Sequence, residues 1–369
     1  MRKYYPNYSI GTDAYADIPM VCEKYGTKAV IIGGKHALAA AADLIKEAVK
    51  DSKITITGVF EYGGEASREH IDELNSHQEV VDADMIFACG GGKAIDTCKV
   101  LAQESKRPFF TFPTIASTCA SCTSLGIIYH PDGSLREYSF QEKPSEWIFI
   151  NTQVIANAPV KYLWAGIGDT MAKFYECTTS ARGDGDELDH STSMGVQISN
   201  LCAKPLVKYG VEALEECKNH RPGKALEECK NHRPGKALEE VILGIIVSTG
   251  FVSNLVGIDL NTGLAHACYN GFTVCRSTEE HGHLHGEIVA YCILILLKVD
   301  HQEDEFKKIY EFSKNMGFPV KLADIHATLD DMDAVITKAL SGIDVRKWPY
   351  EVTPDMILDA VKKIEEVSF

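Results

Sequence analysis

ADMIFACGGGKAIDTCKVLAQES occupies residues 83–105. Its apolar run Met85–Cys89 reads as a strand, Gly90-Gly91-Gly92 as a turn, and the stretch from Lys93 as a helix. The same alternation flanks it. KAVIIGG (28–34) reads as strand and turn, HALAAAADLIKEAVK (36–50) as helix, and KITITGVF (53–60) as strand. SREHIDELNSHQEV (67–80) reads as helix with Ser67 as its N-cap, and RPFFTFPT (107–114) as a further strand. Such βαβ repetition predicts a mostly parallel sheet covered by helices. SLGIIYHPDGSLREYSF (124–140) differs: two short runs meet at Pro131-Asp132-Gly133, a hairpin signal. Beyond WIFINTQVIANAP, Pro159 suits the first turn of a helix, and helical periodicity dominates to Phe369. The expected organisation is an α/β domain over 1–157 and an all-α domain over 158–369.

Glycine at the 89–96 turn lets backbone approach a ligand without a Cβ clash, and the free N–H groups at a helix start attract a diphosphate. The spacing is not GxGxxG, and a phosphate-loop Gly-Lys-Ser/Thr ending is missing. A dinucleotide phosphate site and a plain tight αβ turn both remain compatible with the residues.

Bulk properties narrow the field. The 369 residues suit two domains, with 45% apolar and 24% charged residues, the balance of an ordinary globular protein. A net charge of -15, with no basic tract, argues against a nucleic-acid partner. MRKYYPNYSI lacks the apolar segment of a secretory signal, and runs such as AYCILILL (290–297) are too short for a bilayer. The twelve cysteines therefore read as reduced thiols of a cytoplasmic protein. Cys89, Cys268 and Cys292 sit in apolar runs as small hydrophobes. A homo-oligomer that meets neither membrane nor nucleic acid is expected.

ALEECKNHRPGK occurs at 213–224 and again, identically, at 225–236, followed by ALEE. Solenoid units diverge and run to three or more, whereas this is one copy, of a kind that slippage between flanking ALEE segments generates. Cys217, His220, Cys229 and His232 superficially resemble zinc ligands, but the second pair is the first counted twice. The stretch is read as a surface helix–turn–helix excursion.

GGGKAIDTCK resembles the GGGKxxDTAK signature of the iron-containing alcohol dehydrogenase and glycerol dehydrogenase superfamily. FPTIASTCASCTSLGIIY (112–129), AGIGDTMAKFYE (165–176), GLAHACYNGFT (263–273) and HGEIVAY (285–291) continue the likeness in family order, to the tail PDMILDAVKKIEE. The resemblance implies a Rossmann-like N-terminal domain, a helical C-terminal domain, an active site in their cleft, and a dehydroquinate synthase-like architecture. It also implies that Gly91, Gly92 and Lys93 meet the diphosphate of NAD or NADP, with Asp96 supporting the turn. Thr114, Ser117, Thr123, Leu125 and Tyr129 match further nicotinamide and ribose contacts.

The resemblance further implies one divalent ion, Zn²⁺ or Fe²⁺, on Asp169, His266 and His285. Two histidines and a carboxylate suit either ion and leave positions open for substrate. Separations of 97 and 19 residues carry no local metal signature, so spacing alone would leave each histidine structural. His281 and His283 lie beside His285, and a local HxHxH cluster is the competing reading. With the triad in place the ion acts as a Lewis acid on the substrate oxygen, and the nicotinamide accepts or supplies hydride.

Two departures bear on specificity. Glycerol enzymes of the family read Ser-Thr-Asp-Ala-Pro where this chain reads Ser117-Thr118-Cys119-Ala120-Ser121. Cys119 cannot replace an anionic acceptor for polyol hydroxyls, and its neutrality favours a carboxylate substrate. The motifs are closest to the hydroxycarboxylate dehydrogenase branch, which interconverts 2-oxo and 2-hydroxy acids; loop drift and a redox pair with Cys122 are the other readings of Cys119. Second, the first strand ends Ile32-Gly33-Gly34-Lys35 with no acid for a ribose 2′-OH, so Lys35 is available to a 2′-phosphate and NADP use is expected. A polyol dehydrogenase is the allied alternative. A lyase of the dehydroquinate-synthase type is the alternative of another class, disfavoured by Asp169 and by weakly basic motifs.

Overall fold

The computed structural model describes residues 4–219 and 234–368. The chain divides into two compact units, one of residues 1–162 with 213–254, the other of 163–212 with 255–369. The sequence reading instead divides it once, near Asn157, and assigns 213–254 to the helical half.

The first unit is built on a six-stranded, wholly parallel sheet: β1 (Asn7–Gly11), β2 (Lys28–Gly33), β3 (Thr55–Glu61), β4 (Met85–Gly90), β5 (Phe109–Pro113) and, after a hairpin of β6 (Leu125–Tyr129) and β7 (Leu135–Phe140), β8 (Trp147–Asn151). The spatial order is β1-β8-β5-β4-β2-β3. β4 and nearly all of β2 are buried, as continuous apolar runs covered on both faces must be. Alternate residues feed two cores. Ala29, Ile31, Met85, Phe87 and Cys89 pack with Ala41, Ile45 and Val49 of α1 (Lys35–Val49). Val30, Ile32, Ile86 and Ala88 face the opposite way. They pack with Ile71 of α2 (Arg68–Asn75) and with Ile95, Cys98 and Leu101 of α3 (Gly92–Ser105). Ser67 caps α2, its Oγ accepting from His70 N at 3.3 Å.

The sequence pattern does not separate β1 and β8 from loop: NYSIG is short, and WIFIN runs directly into a helix. The stretch Lys236–Leu255 also needs correction. By length and composition it could cross a membrane, contrary to the expectation that apolar runs are too short, but 61% of its apolar window is buried inside the protein. It contains a π-helical turn at Leu243–Ser248, where Thr249 Oγ1 donates to the Gly244 carbonyl at 2.9 Å.

The second unit is helical. Its principal members are α4 (Val160–Asp184), α5 (Leu264–Phe272), α6 (His285–Val299), α7 (Met332–Leu340) and α8 (Pro354–Glu365). The run AYCILILL lies in α6, whose residues Ile288–Leu297 are all buried against α5, α8 and the helix Glu303–Met316.

Candidate active site

Among the described residues, one group of metal-ligating side chains converges: Asp169, His266 and His285, with ligand atoms all within 4.8 Å of one another. Asp169 sits in α4, His266 in the first turn of α5, and His285 opens α6. Asp169 Oδ1 stands 3.3 Å from His266 Nε2 and 3.1 Å from His285 Nε2. A crossing without Cβ atoms brings α4 and α6 this close. A Cβ on Gly168 would stand 2.2 Å from the Gly286 carbonyl oxygen, and one on Gly286 would stand 1.9 Å from that of Ala165. Gly168 precedes Asp169 and Gly286 follows His285, so backbone contact between the helices carries Asp169 to His285.

The electrostatics fit a cation. Burial works to raise the Asp169 pKa, but His285 and His266 outweigh it and hold the carboxyl well below its usual range. For His266, burial acts to lower the pKa, and the Glu176 and Asp169 carboxylates overcome it, pushing the imidazole up to about 10. The protein without an ion thus favours positive charge where an ion would stand. Nitrogen–oxygen separations of 3.1 and 3.3 Å match those of donors sharing a tetrahedral ion at bond lengths of about 2.0–2.1 Å. The donor set therefore fits a divalent metal.

Glu176 and Tyr269, to which the sequence pattern assigns no role, complete the surroundings. Glu176, two turns beyond Asp169 on the same face of α4, is fully buried. It accepts from the backbone N–H of His266 and from its ring Nδ1, each at 2.7 Å. The i, i+4, i+7 spacing of Asp169, Lys173 and Glu176 was the available signal, since such residues share a helix face. Between them, Lys173 donates to the carbonyl of Asn261, in the segment leading to α5. Tyr269, one turn beyond His266, packs its ring edgewise on His285 at 4.1 Å between centroids.

The neighbouring histidines form a separate arrangement. His283 Nδ1 bonds Glu287 at 2.9 Å and its Nε2 faces His326 Nδ1 at 2.8 Å, while His281 stacks on His326. The expected local alternative, an HxHxH cluster, is not what the chain builds: His281 and His283 turn toward His326 and away from the group containing His285. Of the cysteine–histidine set in the repeat, Cys217 is buried, and His220, Cys229 and His232 lie outside the described residues.

In the first unit, strand order reverses between β2 and β4: the chain moves outward from β2 to β3, then returns to β4 on the other side. Ligands of open α/β sheets bind outside the carboxyl ends of strands at such a switch point. Gly33-Gly34 and Gly90-Gly91-Gly92 both lie there, their strands paired Gly33 to Cys89. Gly91 is the N-cap of α3 and offers no capping side chain; a Cβ on it would come within 2.8 Å of Ile115 Cδ1. Ile115 thus leaves no room for a side chain on Gly91, and the turn presents bare backbone with the first-turn N–H groups of α3, a composition that fits a diphosphate. Lys93 is exposed, pairs with Glu65 at 2.6 Å, and lies over the Tyr129 ring at 5.3 Å.

Asp96 is placed differently from the expectation that it supports the turn. It is buried, accepts from Lys99 Nζ at 2.9 Å and from Ile127 N at 3.2 Å, and so ties α3 to β6. Lys99, fully buried and likewise unassigned by the sequence pattern, donates to Thr123 Oγ1 at 3.1 Å and to the Leu125 carbonyl at 2.6 Å. Thr123 and Leu125 are thereby fixed beside α3. Thr114 donates its N–H to the Gly90 carbonyl at 3.3 Å, and Ser117 and Cys119 are half-buried in the following loop. Cys122 is buried, and all the described cysteines are free thiols. Lys35 is exposed at the start of α1.

Comparison with known proteins agrees with this geometry. Residues 6–146 match the family model of the iron-containing alcohol dehydrogenases. The chain is 31% identical over 308 residues to a glycerol dehydrogenase of Thermotoga maritima, covering 82% of this chain and 79% of that protein. The chain belongs to the iron-containing alcohol dehydrogenase family. Within the family it is also 29% identical over 345 residues to hydroxycarboxylate dehydrogenase A of Escherichia coli, covering 92% of this chain and 90% of that protein. The solved glycerol dehydrogenase of Schizosaccharomyces pombe superimposes with a TM-score of 0.83 at 26% identity, covering 99% of this chain and 90% of that one. Membership makes the protein an alcohol dehydrogenase, an oxidoreductase that uses a nicotinamide cofactor and a metal ion.

Proposed function

We propose that this dehydrogenase interconverts small 2-hydroxy and 2-oxo acids, with its ion on Asp169, His266 and His285. The observation that carries the reaction class is the convergence of those three side chains. When bound, the ion supplies Lewis acidity toward an alcohol or carbonyl oxygen, and NAD(P) supplies or accepts the hydride.

The protein's own contribution is placement. Asp169 and the two imidazoles offer one anionic and two neutral donors, and leave coordination positions for a substrate oxygen. The bare backbone at Gly91 and Gly92, with Lys93 beside it, would seat the diphosphate. Lys99 and Asp96 would hold the Thr123–Leu125 edge of the nicotinamide site, with Thr114, Ser117 and Tyr129 around it. Lys35, exposed after Gly34, would accept a 2′-phosphate, so NADP serves as well as NAD.

Cys119 supports the acid substrate: a neutral thiol in that loop repels a carboxylate less than an aspartate would. The similarity to hydroxycarboxylate dehydrogenase A points the same way. A polyol substrate is the second reading, favoured by the similarity to the Thermotoga glycerol dehydrogenase. Steady-state rates decide between them. NADH and NADPH oxidation would be followed with 2-oxobutyrate, 2-oxoglutarate and hydroxyacetone, and glycerol and 2-hydroxy acids would be run in the oxidative direction. Higher kcat/KM for the 2-oxo acids is expected; a preference for glycerol and hydroxyacetone would overturn the proposed substrate.

A further inference from the structure

We infer that Glu176 is a positioning residue that fixes the tautomer of His266 and so makes its Nε2 a metal ligand. The inference rests on the proposed role of Asp169, His266 and His285. An imidazole can coordinate only through a nitrogen that carries no proton. Which nitrogen that is depends on the partner of the other one.

Glu176 meets two N–H groups of one residue. Its Oε1 accepts the His266 backbone N–H at 2.7 Å, and its Oε2 faces the ring Nδ1 at 2.7 Å. The backbone N–H is a fixed donor in the first turn of α5, where no carbonyl within the helix can receive it. One carboxylate oxygen is committed to it. The other, in a side chain with no exposure to solvent, can only accept, so Nδ1 carries the proton. That leaves Nε2, 3.3 Å from Asp169 Oδ1, as the nitrogen that gives up its proton when an ion binds on that side. The backbone is held as tightly as the ring: a Cβ on Gly263, the N-cap of α5, would come within 3.0 Å of the Glu176 side chain.

Glu176→Gln breaks this arrangement at nearly constant shape. The amide oxygen must serve the fixed backbone donor, which turns the NH₂ group toward Nδ1. A donor there favours the tautomer with its proton on Nε2, which cannot coordinate. Glu176→Asp keeps two acceptors on a shorter stem.

The test is Zn²⁺ affinity of the full-length protein, stripped and then titrated against a chromophoric chelator, with Co²⁺ absorption spectra and thermal unfolding of the metal-free forms alongside. E176Q is expected to bind Zn²⁺ about 10–100-fold more weakly and to give a weakened Co²⁺ spectrum, while E176D recovers part of the affinity. Asp169→Ala should lose the metal outright. Parent-like affinity in E176Q, with D169A deficient, would overturn the role of Glu176 alone. Parent-like affinity in D169A would overturn the metal assignment on which it rests. Should E176Q fail to fold, ¹⁵N NMR of the imidazoles in the Zn²⁺-loaded parent decides: a proton on His266 Nδ1 is expected, and a proton on Nε2 contradicts the inference.

Discussion

Adding one methyl group at Gly286 should separate the proposed metal ligands. A Cβ there would lie 1.9 Å from the Ala165 carbonyl oxygen, against the 3.0 Å that real Cβ atoms essentially never undercut. Both partners are helix backbone, so no side chain can rotate away, and α4 and α6 must part by about 1.1 Å in a close-packed interior. Asp169 and His285, now 3.1 Å apart, would open to about 4.2 Å, whereas donors on a tetrahedral ion with bonds of about 2.0–2.1 Å stand roughly 3.3 Å apart. Overpacking of this kind costs about 1–3 kcal/mol, which lowers Tm by roughly 2–12 °C in a unit of this size. Since losing a supporting contact alone weakens metal binding 10–100-fold, displacing a ligand should cost about 100-fold. Calorimetric Tm of Gly286→Ala and Zn²⁺ competition titration measure both effects. Unchanged Tm together with Zn²⁺ affinity within threefold of the parent would refute the crossing argument.

Further outcomes follow from the same geometry. Lys99→Met strands the buried Asp96 carboxylate; removing one partner of a buried pair costs about 3–5 kcal/mol, and KM for the nicotinamide should rise more than kcat falls, as substrate-saturated kinetics will show. Cys119→Asp should raise kcat/KM for glycerol relative to a 2-oxo acid, because it restores an anionic acceptor and repels a carboxylate; an unchanged ratio removes Cys119 from specificity. Lys35→Ala should reduce kcat/KM with NADPH about tenfold, the loss of roughly one charged hydrogen bond, and leave NADH unaffected. Deleting residues 225–236 should leave both activities at parental levels.

The sheet was legible because its central strands are buried on both faces and read as unbroken apolar runs, as KAVIIGG and MIFACG show. The edge strand NYSIG, half-exposed, has no such run. The grouping of 213–254 with the first unit is tertiary, carried by contacts that no local pattern encodes. At the candidate site, motif order singles out Asp169, His266 and His285, the three side chains that converge, while residue types alone do not choose among the histidines of HGHLHGE. The difference lies in direction: His283 bonds Glu287 four residues on, whereas His285 reaches across to α4. Glu176 and Lys99 escaped notice because a charged residue in a helix reads as solvated until burial and a partner distant in sequence are known. Their partners are 90 and up to 26 residues away.

Metal content and activity of one variant pair test the central claim most directly. Parent protein and Asp169→Ala would be stripped with chelator, reloaded with Zn²⁺ or Fe²⁺, and assayed for bound metal per chain and for NAD(P)H oxidation. About one ion per chain and metal-restored turnover are expected in the parent, with neither in the variant. Full metal loading and turnover in Asp169→Ala would contradict it.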